Sequence, residues 1–463
     1  MSDSAPSAVS PSSAPGDLLG HPRGLTFLFA TEMWERFSFY GMRALLVLYM
    51  VKYLLLPGAV ERVVGMSALT SALETVFGRL DIQPLASQIY GLYTALVYFT
   101  PIFGGLLADR VLGQRRTVAF GAALMAIGHF MMAFEHLFLL ALLTLIVANG
   151  AFKPNISTQV GSLYAPPDAR RDRAYSIFYV GINVGALLAP FVCGTLGEYL
   201  GWHYGFAAAG VGMLIGLAIY LSAGQALPAD EMHGRGGTGE IKLDRGDKRA
   251  IIALLILAMP VTLFWATYEQ QGNTIALWAD ASTDRSLDLL VWSGEIPTTW
   301  FQAFNPFLIF ALTPVVVGLW AQQARRRREP STVMKMAVGC LGVTAANLIM
   351  ALAAWHAGTG KASWLWLLAY FVVITIGELY LSPIGLSLVS KLAPAKLLSM
   401  MMGLWLATSF IGNFTAGWLG SLWSDMEKPH FFLMIAGIAA VAAVAIAACQ
   451  RPLAPILEAG ERH

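Results

Sequence analysis

The chain has 463 residues, of which 57% are hydrophobic and only 13% charged, and its mean hydropathy is +0.62. Water-soluble domains carry about a quarter charged residues, so this composition excludes an ordinary soluble enzyme and predicts an all-α polytopic membrane protein. The net charge of +2 is no argument for nucleic acid, because the placement of the charges matters here and their sum does not.

Residues 1–20 are rich in Ser, Ala and Pro and lack Lys and Arg. They read as a disordered cytoplasmic tail, without the charged and apolar regions of a secretory leader. Apolar stretches near the bilayer-crossing length of about 20 residues follow at 25–50, 86–108, 117–134, 137–160, 173–195 and 204–223. A polar, Gly-rich segment, 224–249, comes next, and six more stretches lie at 250–278, 301–322, 333–354, 363–388, 397–421 and 430–449. The expected organisation is therefore an N-terminal six-helix bundle (21–223), a cytoplasmic linker (224–249), a C-terminal six-helix bundle (250–449) and a tail (450–463). Larger loops at 51–85 and 279–300 follow the first and seventh spans, a matched position that hints at two similar halves.

Basic residues set the orientation. Arg36, Arg43 and Lys153 lie within spans, and Lys52, Arg62, Arg79, Arg285, Lys361 and Lys428 fall on one side. All the remaining Lys and Arg, including Arg115, Arg116 and the run Arg325 to Arg328, fall on the other. That asymmetry puts both termini and the linker in the cytoplasm of a plasma-membrane (bacterial inner-membrane), multi-pass protein.

Titratable groups at bilayer depth cost about 2.5 kcal/mol or more, so each needs a reason. They are Glu32, Glu35, Arg36, Arg43, Lys153, Glu269 and Glu378. In the first span, a rotation of about 100° per residue puts Glu32, Glu35, Arg36, Tyr40 and Arg43 on one stripe, which suits the wall of a wet cavity. Two carboxylates one turn apart repel, and the arginine between them keeps at least one ionised, so the group reads as a proton-binding cluster. The acids outnumber the bases by one, so one proton would neutralise the set. Depth pairs the others. Arg43 and Glu269 both lie about 27–29 Å from the cytoplasmic end of their spans at 1.5 Å per residue, while Lys153 and Glu378 lie nearer the cytoplasm. The expectation is a latch of Arg43 with Glu269 on the outer side and of Lys153 with Glu378 on the inner side, each joining the two halves. Pairing of each charge within its own half is the alternative.

The remaining signals are weaker. Cys193, Cys340 and Cys449 are isolated and support neither a disulfide framework nor a metal site. The run Gly234-Arg-Gly236-Gly237-Thr-Gly239 has no strand before it and no phosphate-binding lysine after it, so it reads as flexible linker. His129, alone in the third span, reads as a packing residue. No spacing suggests a catalytic triad, so an intramembrane enzyme is a distant alternative.

Five segments in order resemble the proton-dependent oligopeptide transporter family of the major facilitator superfamily. Glu32-Met-Trp-Glu35-Arg36-Phe-Ser-Phe39-Tyr40-Gly41 is similar to the family's first-helix signature, with Phe39 where Tyr is usual. Gly105-Leu-Leu-Ala-Asp109-Arg110-Val-Leu-Gly113-Gln-Arg115-Arg116 resembles the superfamily's loop between helices two and three, read here as a structural latch. Phe178-Tyr179-Val-Gly-Ile-Asn183-Val-Gly185, Phe264-Trp265-Ala-Thr-Tyr-Glu269-Gln270 and Gly377-Glu378-Leu-Tyr-Leu-Ser382-Pro383 resemble its fifth-, seventh- and tenth-helix motifs.

The resemblance implies a major facilitator fold of 12 transmembrane helices. It also implies a proton-coupled symporter that imports di- and tripeptides by alternating access, with no cofactor beyond the proton gradient and acting as a monomer. Arg36 and Lys153 would hold the peptide carboxylate, and Glu378, Asn183 and Asn305 its amino end. Tyr40, Tyr98, Trp265 and Trp405 would line side-chain pockets, with Ser382 beside them. Glu32, Glu35, Arg36, Arg43 and Glu269 would couple the proton. The short linker leaves no room for the two extra helices that many bacterial members carry between the halves. A fixed cation in one half and a fixed anion in the other would grip the ends of any zwitterionic peptide while apolar walls accept varied side chains. A same-fold carrier of nitrate or a drug-like compound, or a peptide-binding membrane sensor, remains the alternative.

Overall fold

The protein is described from a computed structural model, which covers residues 17–18, 20–165, 168, 170–228, 230, 245–289, 292–393 and 397–460. Most of residues 1–20, the glycine run and most of the linker lie outside the described residues. The fold is almost entirely helical. In chain order the helices are α1 (Arg23–Tyr49), α2 (Met66–Phe77), α3 (Ile82–Leu112), α4 (Gln114–Met131), α5 (Phe138–Ser162), α6 (Arg170–Tyr199) and α7 (Trp202–Ser222). There follow α8 (Arg245–Tyr268), α9 (Thr274–Ala281), α10 (Phe304–Arg325), α11 (Thr332–Ala357), α12 (Leu365–Leu392), α13 (Leu398–Ser421) and α14 (Lys428–Gly460).

Among the described residues, 9 helical segments are long and apolar enough to cross a membrane: α3, α5, α6, α7, α8 running on into α9, α10, α11, α12 and α14. Helix α1, 27 residues long, falls short on composition because Glu32, Glu35, Arg36 and Arg43 interrupt its apolar run. Those charges cost nothing in helix propensity, since Glu and Arg are good helix formers; their cost is desolvation, which the tertiary structure must offset.

Two loops contain more structure than the sequence reading gave them. Segment 51–85 holds α2, and segment 279–300 holds an antiparallel hairpin that pairs Ser286 with Glu295 and Asp288 with Ser293. Helix α14 also runs to Gly460, past the expected end at 449. Nothing obliges an α-helix to stop where its apolar run does.

Helix α1 packs on α6 and α7, and α4 packs on α5 and α7; α11 packs on α12 and α14, and α8 on α13 and α14. Among the described residues, the most extensive contact between the first and second halves of the sequence is α3 against α13. Glycine permits it: a Cβ on Gly91 would lie 2.4 Å from Gly417 Cα. Any side chain there would force the two backbones apart.

Candidate functional site

Where the two halves face each other there is a cavity of about 390 Å³. Its wall includes Tyr40, Arg43, Tyr98, Lys153 and Asn183 from the first half, and Trp265, Glu269, Asn305, Glu378, Ser382 and Trp405 from the second. Most of the expected site residues therefore converge on one chamber, although they come from eight helices and the turn after α8. Interruptions of regular helix lie beside the site residues: Pro154 follows Lys153, Pro383 follows Ser382, and α8 gives way at Glu269 to a 3-10 turn, Glu269–Gly272. A proline lacks the backbone N–H that would close the turn behind it, so each weakens the helix beside the chamber.

Glu32, Glu35 and Arg36 are not part of that wall. They are buried behind it, 3%, 0% and 4% exposed. Arg36 is held by Glu35 through two nitrogens, with Nη2 donating to Oε1 at 2.8 Å, and its Nε lies 3.2 Å from Glu32 Oε1. The guanidinium thus closes on its own helix. The sequence placed Arg36 in the chamber; the two acidic neighbours draw it behind the wall, because a buried guanidinium needs charge compensation within reach. Its Cζ also sits 5.2 Å from the Phe39 ring centroid, so the phenylalanine at that position covers the cation with an aromatic face. Glu32 Oε2 is buried without a hydrogen-bond partner.

The remaining charges fall into two contrasting sets. Arg43 is paired: Nη2 donates to Glu269 and Nε donates to the Tyr90 hydroxyl at 2.7 Å. Lys153 and Glu378 do not meet, so the second expected latch is open in this conformation. The Lys153 ammonium lies over the Tyr98 ring at 4.6 Å from its centroid, with no carboxylate in ion-pair range among the described residues. Glu378 accepts a hydrogen bond from Asn305 Nδ2 at 2.8 Å and faces no cation among the described residues. Asn183 donates to the Tyr179 carbonyl of its own helix.

The ties between halves are one-sided. At the end of the molecule where α1 finishes, here the distal end, Ser87 donates to Asn273 at 2.8 Å and Gln83 donates to the Gly420 carbonyl at 3.0 Å. Lys52 reaches Asp280 at 2.8 Å, and Trp300 Nε1 donates to Thr195 at 2.8 Å. Glu198 accepts from the backbone N–H groups of Thr298 and Thr299, at 2.8 and 2.7 Å, where a short 3-10 turn leads into α10. At the opposite, proximal end no hydrogen bond joins the two halves among the described residues.

Sequence reasoning missed several wall residues, among them Tyr179, Tyr268, Gln271 and Gln302. Tyr268 stands inside a quoted motif, but on a regular helix its direction differs from that of Glu269 by only about 100°, which gives no hint that the two serve different partners. No group of three or more His, Cys, Asp or Glu is placed to hold a metal ion among the described residues.

The sequence model of the POT family matches residues 115–234 and 237–445. The chain is 34% identical to the peptide transporter YePEPT of Yersinia enterocolitica subsp. palearctica, over 87% of this chain and 88% of that protein. It is 32% identical to a di-/tripeptide transporter of Lactococcus lactis subsp. cremoris, over 95% of this chain and 97% of that one. A crystal structure of a peptide transporter POT in complex with sulfate superposes with a TM-score of 0.82 at 30% identity, over 96% of this chain and 97% of that one.

Proposed function

Because the chain belongs to the POT family of peptide transporters, we propose that it is a proton-coupled symporter that imports di- and tripeptides across the plasma membrane by alternating access. Twelve spans in two six-helix bundles, 21–223 and 250–449, form a major facilitator arrangement around the cavity, with linker 224–249 and both termini cytoplasmic. The unit is a monomer, and the proton gradient is its energy source.

One observation carries the reading of the site: Lys153 and Glu378 line the same cavity from opposite halves, and neither has an ion-pair partner among the described residues. Two unpaired opposite charges in a chamber of low dielectric cost several kcal/mol unless a ligand or water compensates them. A zwitterionic peptide does so at both ends at once. Lys153 takes its carboxylate, with the Arg36 charge behind the wall adding long-range attraction, and Glu378, helped by Asn305 and with Asn183 nearby, takes its ammonium. Tyr40, Tyr98, Trp265, Ser382 and Trp405 shape the space between.

With the distal end sealed by Arg43–Glu269 and the ties around it, the conformation is inward-facing, and the proximal end is cytoplasmic. A bound peptide draws Lys153 and Glu378 together and so favours closing the inner side. Glu32, Glu35 and Glu269 exchange the proton; protonation of Glu269 releases Arg43 and lets the outer side open. A ligand shifts such an equilibrium only by its differential affinity for the two states, and a bridge between halves provides that difference.

The test is uptake of labelled dialanine into proteoliposomes with an acidic exterior and a negative lumen. Accumulation above equilibrium, competed by unlabelled di- and tripeptides and not by free alanine, supports the reading. Uptake insensitive to peptides and competed by nitrate overturns it.

A further inference from the structure

We propose that the arginine run Arg325 to Arg328, at the end of α10, binds the phosphodiester headgroups of anionic phospholipids in the leaflet where that helix leaves the bilayer. Such a site requires only that α10 crosses the membrane, whatever the protein carries. The helical segment Thr298–Arg325 is long and apolar enough to do so.

All four arginines are exposed. None of them forms an ion pair among the described residues. The acid beside them is already used: Glu329 pairs with Lys335 of α11, whose ammonium lies over the Trp320 ring at 4.4 Å from its centroid. Four adjacent guanidinium groups are thus left without a counter-charge at the end of a span, the depth at which a bilayer presents its phosphates. A guanidinium offers two parallel N–H groups to phosphate oxygens, and a headgroup without a cation of its own leaves the attraction uncancelled.

The backbone supplies the second observation. Arg327 has φ 52°, the only positive φ outside glycine among the described residues. Its N–H donates to the Ala324 carbonyl and the Arg328 N–H to the Gln323 carbonyl, both at 2.9 Å, so α10 closes on a left-handed residue. Glycine is the usual residue there, because a Cβ crowds the neighbouring carbonyl. Arginine strains the turn, and helix closure gives no reason for its side chain. Attraction of basic residues to a helix C-terminus accounts for Arg325 and Arg326, in the last turn. A charge bias between the two sides of the membrane needs arginines near the span, but none in a left-handed turn.

The end of α10 is braced from behind. Trp320, just before the run, meets Tyr380 of α12 edge to face at 5.1 Å. Both belong to a small apolar cluster with Val316, Val338 and Leu379, which ties α10 to α11 and α12. Headgroups held at the run therefore grip the unit that carries Asn305 and Glu378 to the cavity wall.

The experiment titrates the full-length protein in an uncharged detergent with phosphatidylglycerol or phosphatidylcholine, reading the Kd of the first bound lipid by native mass spectrometry. Wild type is compared with Arg327→Gly and with the fourfold variant Arg325→Gln, Arg326→Gln, Arg327→Gln, Arg328→Gln. A control carries Arg116→Gln, Arg173→Gln, Lys248→Gln and Arg249→Gln, which removes the same charge from exposed positions at the same end of the molecule. Wild type should bind phosphatidylglycerol more tightly than phosphatidylcholine, and the fourfold variant should lose that preference. Arg327→Gly should weaken phosphatidylglycerol about fivefold, which is about 1 kcal/mol for one arginine near a charged surface. Glycine suits the left-handed turn, so that variant should also keep or raise the Tm, which separates lipid binding from folding. The control should stay within about twofold of wild type. Equal weakening in the control overturns the proposal, since charge anywhere on that face would then suffice, and undiminished preference in the fourfold variant overturns it too. Tighter binding of a short single-stranded oligonucleotide than of phosphatidylglycerol, lost in the fourfold variant, assigns the run to a soluble polyanion and overturns it as well.

Discussion

Arg43 and Glu269 lie 226 positions apart in the sequence and form an ion pair at the wall of the central cavity, with Tyr90 holding the same guanidinium. In the same chamber Lys153 and Glu378 stand apart. One pair made and the other open fits the inward-facing state proposed above, since opening both sides at once would make a leak.

Breaking the distal latch should therefore change which side the cavity faces before it changes the fold. Arg43→Ala leaves Glu269 buried and unpaired, an arrangement costing about 3–5 kcal/mol in the sealed state. The variant should label faster than wild type at a reporter thiol placed on the distal side of the chamber and lose gradient-driven uptake. Labelling at the wild-type rate would count against the latch.

Glu198 offers a gentler perturbation of the same seal. Its carboxylate caps the backbone N–H groups of Thr298 and Thr299 across the interface between halves. Loss of a helix cap costs about 0.5–2 kcal/mol, so Glu198→Ala should raise the distal-open population several-fold while peptide still binds. The reporter-thiol assay reads the shift directly.

Proton coupling should separate from peptide movement at the buried cluster. Glu32→Gln or Glu35→Gln should abolish uptake driven by a proton gradient and leave counterflow, which needs no net proton movement, partly intact. Equal loss of both modes would assign these residues to structure alone.

Among the described residues Lys153 is the cavity-wall cation without an ion pair, whereas Arg43 is held by Glu269 and Arg36, behind the wall, by Glu35 and Glu32. Lys153→Ala should raise the KM for dialanine about tenfold or more, the scale of a charge-assisted hydrogen bond, and normal uptake kinetics in that variant would discredit the contact.

The α3–α13 contact gives a steric prediction. A Cβ at Gly417 would meet Gly91 Cα and the Ser87 carbonyl oxygen, both at 2.8 Å. Gly417→Val should cost about 1–3 kcal/mol, seen as a lower Tm, and should loosen the seal at Ser87–Asn273.

The sequence made the charges legible because each was expensive where it stood. Apolar runs interrupted by Glu32, Glu269 and Glu378 declare both the spans and the residues that must meet something other than lipid. Depth along each run was enough to pair Arg43 with Glu269. It could not reveal that Arg36 turns behind the wall, because a stripe on a helix fixes the direction of a Cβ while a long guanidinium side chain chooses between partners on both sides. Nor could it separate Tyr268 from Glu269, since the change from α to 3-10 geometry between them lies in backbone that follows no compositional signal. The hairpin over 286–295 was hidden for a similar reason: short polar strands outside the bilayer look like loop.

The most direct test of the account is a competition panel on wild-type protein in proteoliposomes: dialanine, dialanine amide, N-acetyl-dialanine and alanine against labelled dialanine uptake. A cavity that reads both ends of a peptide through Lys153 and Glu378 predicts strong competition by dialanine, weakened about tenfold or more when either end is blocked, and none by alanine. Equal competition by the blocked and free peptides would contradict it.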